Sequence, residues 1–223
     1  MVEVMPKPRR ILIVDDHEVI RAGIIRLFAS HTGIEICGEA SNAEQTLQLV
    51  KQHRPDLAIV DISLLDGSGL ELTTEIRKIS PESKVVMYSF HDELLYADRS
   101  LRCGASAYVQ KQEPAQCLVT AVMAVLSGRI YLSDTMTERL IIRAAQVESD
   151  GQKSWLESLS DRELEVFEWL GHGLTSAEIA RQMNLKQKTV ETYREKIKRK
   201  LGLQNGNQLI QHAVKWVLEH DRS

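Results

Sequence analysis

The chain has 223 residues, 43% of them hydrophobic and 26% charged, and a formal net charge of −3. That length can bury two ordinary cores, and there is no apolar run of about 18 residues and no basic-plus-apolar leader, which argues against a membrane span or a signal peptide. Cys37, Cys103 and Cys117 are odd in number and lack metal-ligand spacing, a pattern that fits buried thiols in a reducing cytoplasm.

Met1 to Pro6 reads as a short frayed start, after which strand and helix patterns alternate. Strands are predicted near 10–15, 34–39, 56–61, 84–89 and 106–110, and helices near 17–30, 43–53, 67–79, 93–103 and 113–127. The strands are uninterrupted apolar runs such as Ile11-Leu12-Ile13-Val14 and Leu57-Ala58-Ile59-Val60, as expected of a parallel sheet covered on both faces. Ser41-x-x-Glu44 is a capping-box signature for the second helix, and Pro55 and Pro81 punctuate loops. This order predicts right-handed crossovers and an α/β, doubly wound, flavodoxin-like sheet of five strands in the order 2-1-3-4-5. Met136, Leu140, Ile141 and Ala144 repeat at helical spacing, so a sixth helix runs from Ser133 to about Gln146. The polar stretch Glu148 to Lys153 reads as a linker. The division is then a first domain over 1–132, a connecting helix and linker over 133–153, and a second domain over 154–223.

Four polar sites stand at the C-terminal ends of apolar runs: Asp15-Asp16, Asp61, Ser89 and Lys111. In an open α/β sheet those ends meet in one crevice, where ligands bind. Taken alone, Asp16 reads as a helix N-cap; four matched positions on four strands point to a site. Three clustered carboxylates repel one another without a cation, and their hard oxygens suit Mg²⁺. An Asp carboxylate can attack phosphorus while a lysine, a hydroxyl and a metal stabilise the equatorial oxygens, so the inventory fits an aspartyl phosphate.

On Asp15-Asp16, Asp61, Ser89, Tyr108 and Lys111, the segment from Met1 to about Leu126 resembles a two-component receiver domain. The resemblance implies that Asp61 accepts phosphate from a sensor histidine kinase. It also implies that Asp16, Asp61 and the backbone carbonyl of Ser63 bind Mg²⁺, with Asp15 acting through water. Phosphorylation would draw in Ser89 and turn Tyr108 inward. Two positions depart from the family pattern, Leu65 and Gln112, where receivers carry proline. A rival reading is an aspartate-nucleophile phosphohydrolase, but such enzymes need a second acid two residues after the nucleophile, and here that residue is Ser63. The receiver reading implies no enzyme beyond its own phosphotransfer and dephosphorylation.

The C-terminal part reads as four short helices. Ser160-x-x-Glu163 and Thr175-x-x-Glu178 are capping boxes, Gly171 and Gly173 end the first helix, Gly202 follows the third, and Asn205 with Gln208 opens the fourth. A tight connection through Asn184-Leu185-Lys186 makes the middle pair a helix-turn-helix pattern. Seven basic residues against two acidic ones between Lys186 and Lys200 give that stretch a charge of +5 and leave −8 on the rest, a local polyanion-binding stripe on an acidic protein. Val190, Tyr193, Ile197 and Leu201 are predicted to face the core, and Lys188, Glu191, Thr192, Glu195 and Arg199 the other side.

Leu159-Ser160-Asp161-Arg162-Glu163 through Ala213, with Glu178-Ile179-Ala180, Lys188-Thr189-Val190 and Lys200-Leu201-Gly202, resembles a LuxR-type DNA-binding domain, and the whole chain is similar to NarL/FixJ-class response regulators. The resemblance implies base-edge contacts to double-stranded DNA from Glu191, Thr192 and Glu195, and backbone contacts from Lys188, Thr189, Tyr193 and Lys198. Either glutamate could instead pair with a neighbouring lysine. Trp155, Trp169 and Trp216 lack an interleaved basic pattern and read as packing residues. Leu209, Ile210, Ala213, Val214, Trp216 and Val217 give the last helix more apolar face than one thin domain needs, which fits a homodimer surface. A helix-turn-helix that signals by protein contact, without DNA, is the other open reading.

Overall fold

A computed structural model describes residues 7–64, 66–145 and 155–220. The chain start, Leu65 and the linker lie outside those residues. The chain forms two compact units, 1–145 and 146–223, so the connecting helix belongs to the first.

In the first unit β1 (Arg9–Val14), β2 (Ile34–Ala40), β3 (Leu57–Val60), β6 (Lys84–Ser89) and β7 (Ala107–Gln110) form one parallel sheet in the order β2-β1-β3-β6-β7. Two two-residue strands, β4 (Ser63–Leu64) and β5 (Gly67–Ser68), make a small antiparallel hairpin beside it. With that hairpin set aside, the order is the expected 2-1-3-4-5. Helices α1 (Glu18–Phe28), α2 (Ala43–His53), α3 (Gly69–Ile79), α4 (Glu93–Arg102) and α5 (Ala115–Leu126) alternate with the strands. The β3 run is buried along its whole length because both faces are covered. Ile11, Ile13, Ile59, Val86 and Val109 pack with Ile24 and Phe28 of α1 and Leu118, Val122 and Val125 of α5. Each such side chain contributes roughly 1.5–3 kcal/mol by leaving water.

The second helix is capped one residue later than the sequence suggested. Asn42 Oδ1 accepts from Gln45 N at 2.9 Å, and Gln45 Oε1 accepts from Ser41 N at 3.0 Å, so Asn42 and Gln45 do the work expected of Ser41 and Glu44. Gly69 permits the closest approach in the domain. A Cβ there would lie 1.9 Å from the Asp61 carbonyl oxygen, and α3 therefore starts against the Asp61 backbone. The connecting helix α6 (Asp134–Ala145) is tied to α4, with Ser133 Oγ donating to Glu93 Oε2 at 2.6 Å. The helix forms as expected; on it Met136 is buried and Ile141 exposed. The three cysteines are free and half-buried rather than fully buried, and burial raises the Cys37 thiol pKa.

The second unit comprises a short 3₁₀ turn (Trp155–Ser158) and helices α7 (Asp161–Gly171), α8 (Ser176–Gln182), α9 (Gln187–Leu201) and α10 (Gly206–His220). The capping boxes at Ser160 and Thr175 form as expected. Asn184 takes the left-handed conformation at φ 50° in the turn between α8 and α9, and Gly202 does so at φ 67° after α9. Trp155 packs edge-on against Phe167 and His212, and Trp216 is buried.

Candidate functional site

The sheet edge assembles the predicted residues because parallel strands end together. Asp15 and Asp16 follow β1, Asp61 follows β3, Ser89 closes β6 and Lys111 follows β7. Lys111 Nζ lies 2.7 Å from Asp15 Oδ2 and 2.6 Å from Asp61 Oδ2. All three side chains are buried, and Lys111 N donates to Ser89 O at 2.8 Å.

Burial is the main influence on Asp61 and raises its pKa. The Lys111 charge opposes that rise, Asp15 reinforces it, and the Ser89 hydroxyl lowers it again. Burial works against the Lys111 charge as well, but Asp61 and Asp15 outweigh it and hold the ammonium protonated. The site thus contains a carboxylate that is costly to ionise beside a cation that is hard to discharge.

Asp15, Asp16, His17 and Asp61 bring ligand atoms within 4.8 Å of one another. Asp61 Oδ1 is buried and makes no hydrogen bond of ordinary geometry, as suits an oxygen that can be satisfied by a hard divalent cation. Asp16 does not cap α1; that position is His17, which has no side-chain cap bond. The His17 ring instead sits 2.7 Å from Asp16 Oδ1 and 3.3 Å from Asp15 Oδ1. His17 was not singled out from sequence, although it directly follows the acidic pair.

Tyr108 is already turned inward: it is 1% exposed and its hydroxyl donates to the His91 carbonyl at 2.8 Å. The sequence-based expectation assigned that position to the phosphorylated state. Gln112, one of the two departures, donates through Nε2 to Phe90 O at 3.0 Å, and Phe90 presents its ring 5.0 Å from Lys111 Nζ. Leu65, the other, is not among the described residues.

On the second unit, α9 exposes Lys188, Glu191, Thr192, Glu195 and Arg199 along one side. Val190 and Ile197 are fully buried, while Tyr193 and Leu201 are only half-buried. Thr189 and Lys198 are half-buried at its margins. Glu195 Oε1 lies 2.8 Å from Lys198 Nζ, Glu191 Oε2 lies 3.9 Å from Arg194 Nε, and Thr192 Oγ1 donates to Lys188 O at 2.9 Å. The intrahelical alternative for the glutamates is thus realised, with an arginine in place of a lysine for Glu191. On α10, Leu209, Ala213, Trp216 and Val217 face the domain's own core, whereas Ile210 and Leu218 are exposed and Val214 half-buried. These outward residues line a shallow cavity of about 530 Å³.

Comparison with known proteins matches residues 11–123 to the response regulator receiver domain and residues 157–213 to the bacterial regulatory proteins of the luxR family. The response regulator UvrY of Escherichia coli is 32% identical over 92% of this chain and 93% of its own length. The oxygen regulatory protein NreC of Staphylococcus carnosus is 31% identical over 92% of this chain and 97% of its own. Among solved structures, RcsB of Salmonella enterica serovar Typhimurium, bound to a promoter in the presence of the phosphomimetic BeF3-, superposes with a TM-score of 0.62 at 21% identity, covering 93% of this chain and 98% of that one.

Proposed function

This chain belongs to the response regulators that join a receiver domain to a LuxR-type DNA-binding domain and is a transcriptional regulator; we propose that a phosphoryl group taken onto Asp61 controls its DNA binding. The observation that carries the reading is the Lys111 ammonium bridging two buried carboxylates, Asp15 and Asp61, at the sheet edge. The donor is a sensor histidine kinase. An Asp61 oxygen attacks phosphorus, the nitrogen–phosphorus bond of the phosphohistidine breaks with its electron pair leaving on nitrogen, and an acyl phosphate forms. Burial raises the Asp61 pKa and makes the carboxylate a stronger nucleophile, while the Lys111 charge opposes that rise. Once a phosphoryl oxygen occupies the space beside Asp61, Lys111 and the Ser89 hydroxyl are the groups that stabilise its charge.

Asp16, Asp61 and the backbone carbonyl of Ser63 would hold Mg²⁺, with Asp15 acting through water. The ion would neutralise charge on the phosphoryl oxygens. The buried, unsatisfied Asp61 Oδ1 supports this assignment. On α9, Glu191, Thr192 and Glu195 face base edges of double-stranded DNA, and Lys188, Thr189, Tyr193 and Lys198 hold its backbone. Glu191 and Glu195 are exposed enough to exchange their intrahelical partners for a base donor. The protein acts in the cytoplasm and binds as a homodimer through Ile210, Val214 and Leu218 of α10. No helix among the described residues is long and apolar enough to cross a membrane.

The test is labelling of the full chain by a small-molecule phosphodonor with Mg²⁺. Wild type should gain one acid-stable, base-labile phosphoryl group, and Asp61→Asn none. Mg²⁺-dependent labelling that persists in Asp61→Asn would remove Asp61 as the acceptor.

A further inference from the structure

Between the acceptor loop and Tyr108 stands a residue to which the site chemistry gives no role. His91, in the loop between β6 and α4, is 5% exposed. Its Nε2 lies 2.8 Å from Ser63 Oγ, in the loop whose backbone is assigned to the metal. Its carbonyl oxygen accepts from the Tyr108 hydroxyl at 2.8 Å and from Gln110 Nε2 at 3.3 Å. Its backbone N–H points at Ser89 Oγ, 3.5 Å away. Its ring stacks against Tyr96 of α4 at a centroid separation of 4.6 Å. One buried side chain and its own peptide therefore touch the acceptor loop, the switch hydroxyl, the switch aromatic and the fourth helix.

We propose that His91 is a positioning residue that ties the Ser63 loop to the loop between β6 and α4, so that the metal-facing backbone and Tyr108 adopt their arrangement together. The proposal rests on the reading of the crevice given above and adds to it a specific joint. Ser63 and His91 lie 28 positions apart in sequence, and a hydrogen bond inside the protein is lost at full cost when one buried partner is removed. Displacement of the Ser63 loop pulls on the His91 ring, and rotation of the His91 peptide alters the acceptor that Tyr108 uses. The bond is a side-chain one, so it can be cut without altering either backbone. It requires only that one of the two atoms carry a proton, which either imidazole tautomer allows through the hydroxyl.

The first and deciding readout uses the full chain without phosphodonor or Mg²⁺, so that its outcome is separate from whether Asp61 takes phosphate. Hydrogen exchange is measured in His91→Phe, which keeps a ring against Tyr96 but loses Nε2, in Ser63→Ala, which keeps the backbone, and in the double variant. Each single variant should raise exchange about tenfold or more at Ser63-Leu64 and at Phe90 to Glu93, and expose the Tyr108 ring. The double variant should be no worse than either single, because both cut the same bond. His91→Gln, whose amide can donate to Ser63 Oγ, should restore most of the protection. In a second readout, Mg²⁺ titrated against intrinsic tyrosine fluorescence should bind several-fold more weakly to His91→Phe than to His91→Gln. Additive effects, faster exchange spread over the whole receiver, no change at Tyr108, or failure of His91→Gln to recover would each overturn the proposal. If His91→Phe does not fold, Ser63→Ala alone decides it through the same two segments.

Discussion

The crevice of the receiver and the exposed face of α9 carry charge in opposite ways. In the crevice Asp15, Asp61 and Lys111 are nearly inaccessible and fixed at strand ends, with the Lys111 ammonium bridging the two carboxylates. On α9 the charged groups lie in water and pair along their own helix, as Glu195 does with Lys198 at 2.8 Å. The first arrangement is preorganised, so removing a partner is expensive. In the second, each ion pair is worth little and is easily traded for a phosphate or a base.

Lys111→Ala is the sharpest way to break that comparison. It leaves Asp15 and Asp61 facing each other without a cation, and full-chain urea unfolding followed through the receiver should show a loss of about 3–5 kcal/mol at pH 8. The loss should shrink as pH falls through the raised folded value of Asp61, where that carboxyl takes up a proton. A loss that does not depend on pH would mean that packing, not charge, is what Lys111 supplies.

A pair of substitutions next compares carboxyls in the two units. Burial opposes ionisation of Glu163 as well, but Lys200, 2.6 Å away, and the Ser160 cap outweigh it and lower its pKa. Its contribution is present above the unfolded glutamate value of about 4.3 and is lost as pH falls through the lower folded value. Glu163→Gln should therefore cost about 1.5–3 kcal/mol at pH 7 and little in acid. For Asp61 the sign reverses. Its stabilising form is the protonated one, fully present below the unfolded value of about 3.9 and lost as pH rises through the raised folded value. Asp61→Asn should thus melt higher than wild type at pH 7, by a margin that closes in acid. Thermal scans from pH 7 down to 3 read both signs, and two margins of the same sign would refute the contrast.

The α9 face gives smaller effects. Thr192→Ala or Glu195→Ala should change preference at one base position by roughly 1–3 kcal/mol with little change in salt slope. Lys198→Ala should weaken all sequences alike and reduce the slope by about one unit. Binding curves at several salt concentrations separate the two. If Glu195→Ala tightened every sequence equally, Glu195 would be a neutralising partner for Lys198 rather than a reader.

These differences also explain what the sequence could convey. Strand ends were legible because four apolar runs of a parallel sheet must finish together, so Asp61, Ser89 and Lys111 were placed by periodicity alone. The joint between Ser63 and His91 was not, since it spans two loops with no periodicity. Nor was the inward Tyr108, a rotamer choice that depends on where the His91 carbonyl lies. The cap shifted from Ser41 to Asn42 because both sequences satisfy the same rule one residue apart. On α9 the periodicity gave the exposed face but not its partners, since exposed side chains spend donors on whichever neighbour is near. The split of α10 into an inward and an outward apolar stripe likewise required the packing of α7 against it, where a Cβ on Gly171 would meet Val217 Cγ2 at 2.4 Å.

The central claim, that phosphate on Asp61 controls DNA binding, is tested most directly by the affinity of the full chain for a DNA site selected from random sequence, measured with and without phosphodonor and Mg²⁺. Phosphorylated wild type should bind about tenfold tighter or more, a change of ~1.4 kcal/mol. Asp61→Asn should not respond. Equal affinity of labelled and unlabelled wild type, or an equal response from Asp61→Asn, would contradict the account.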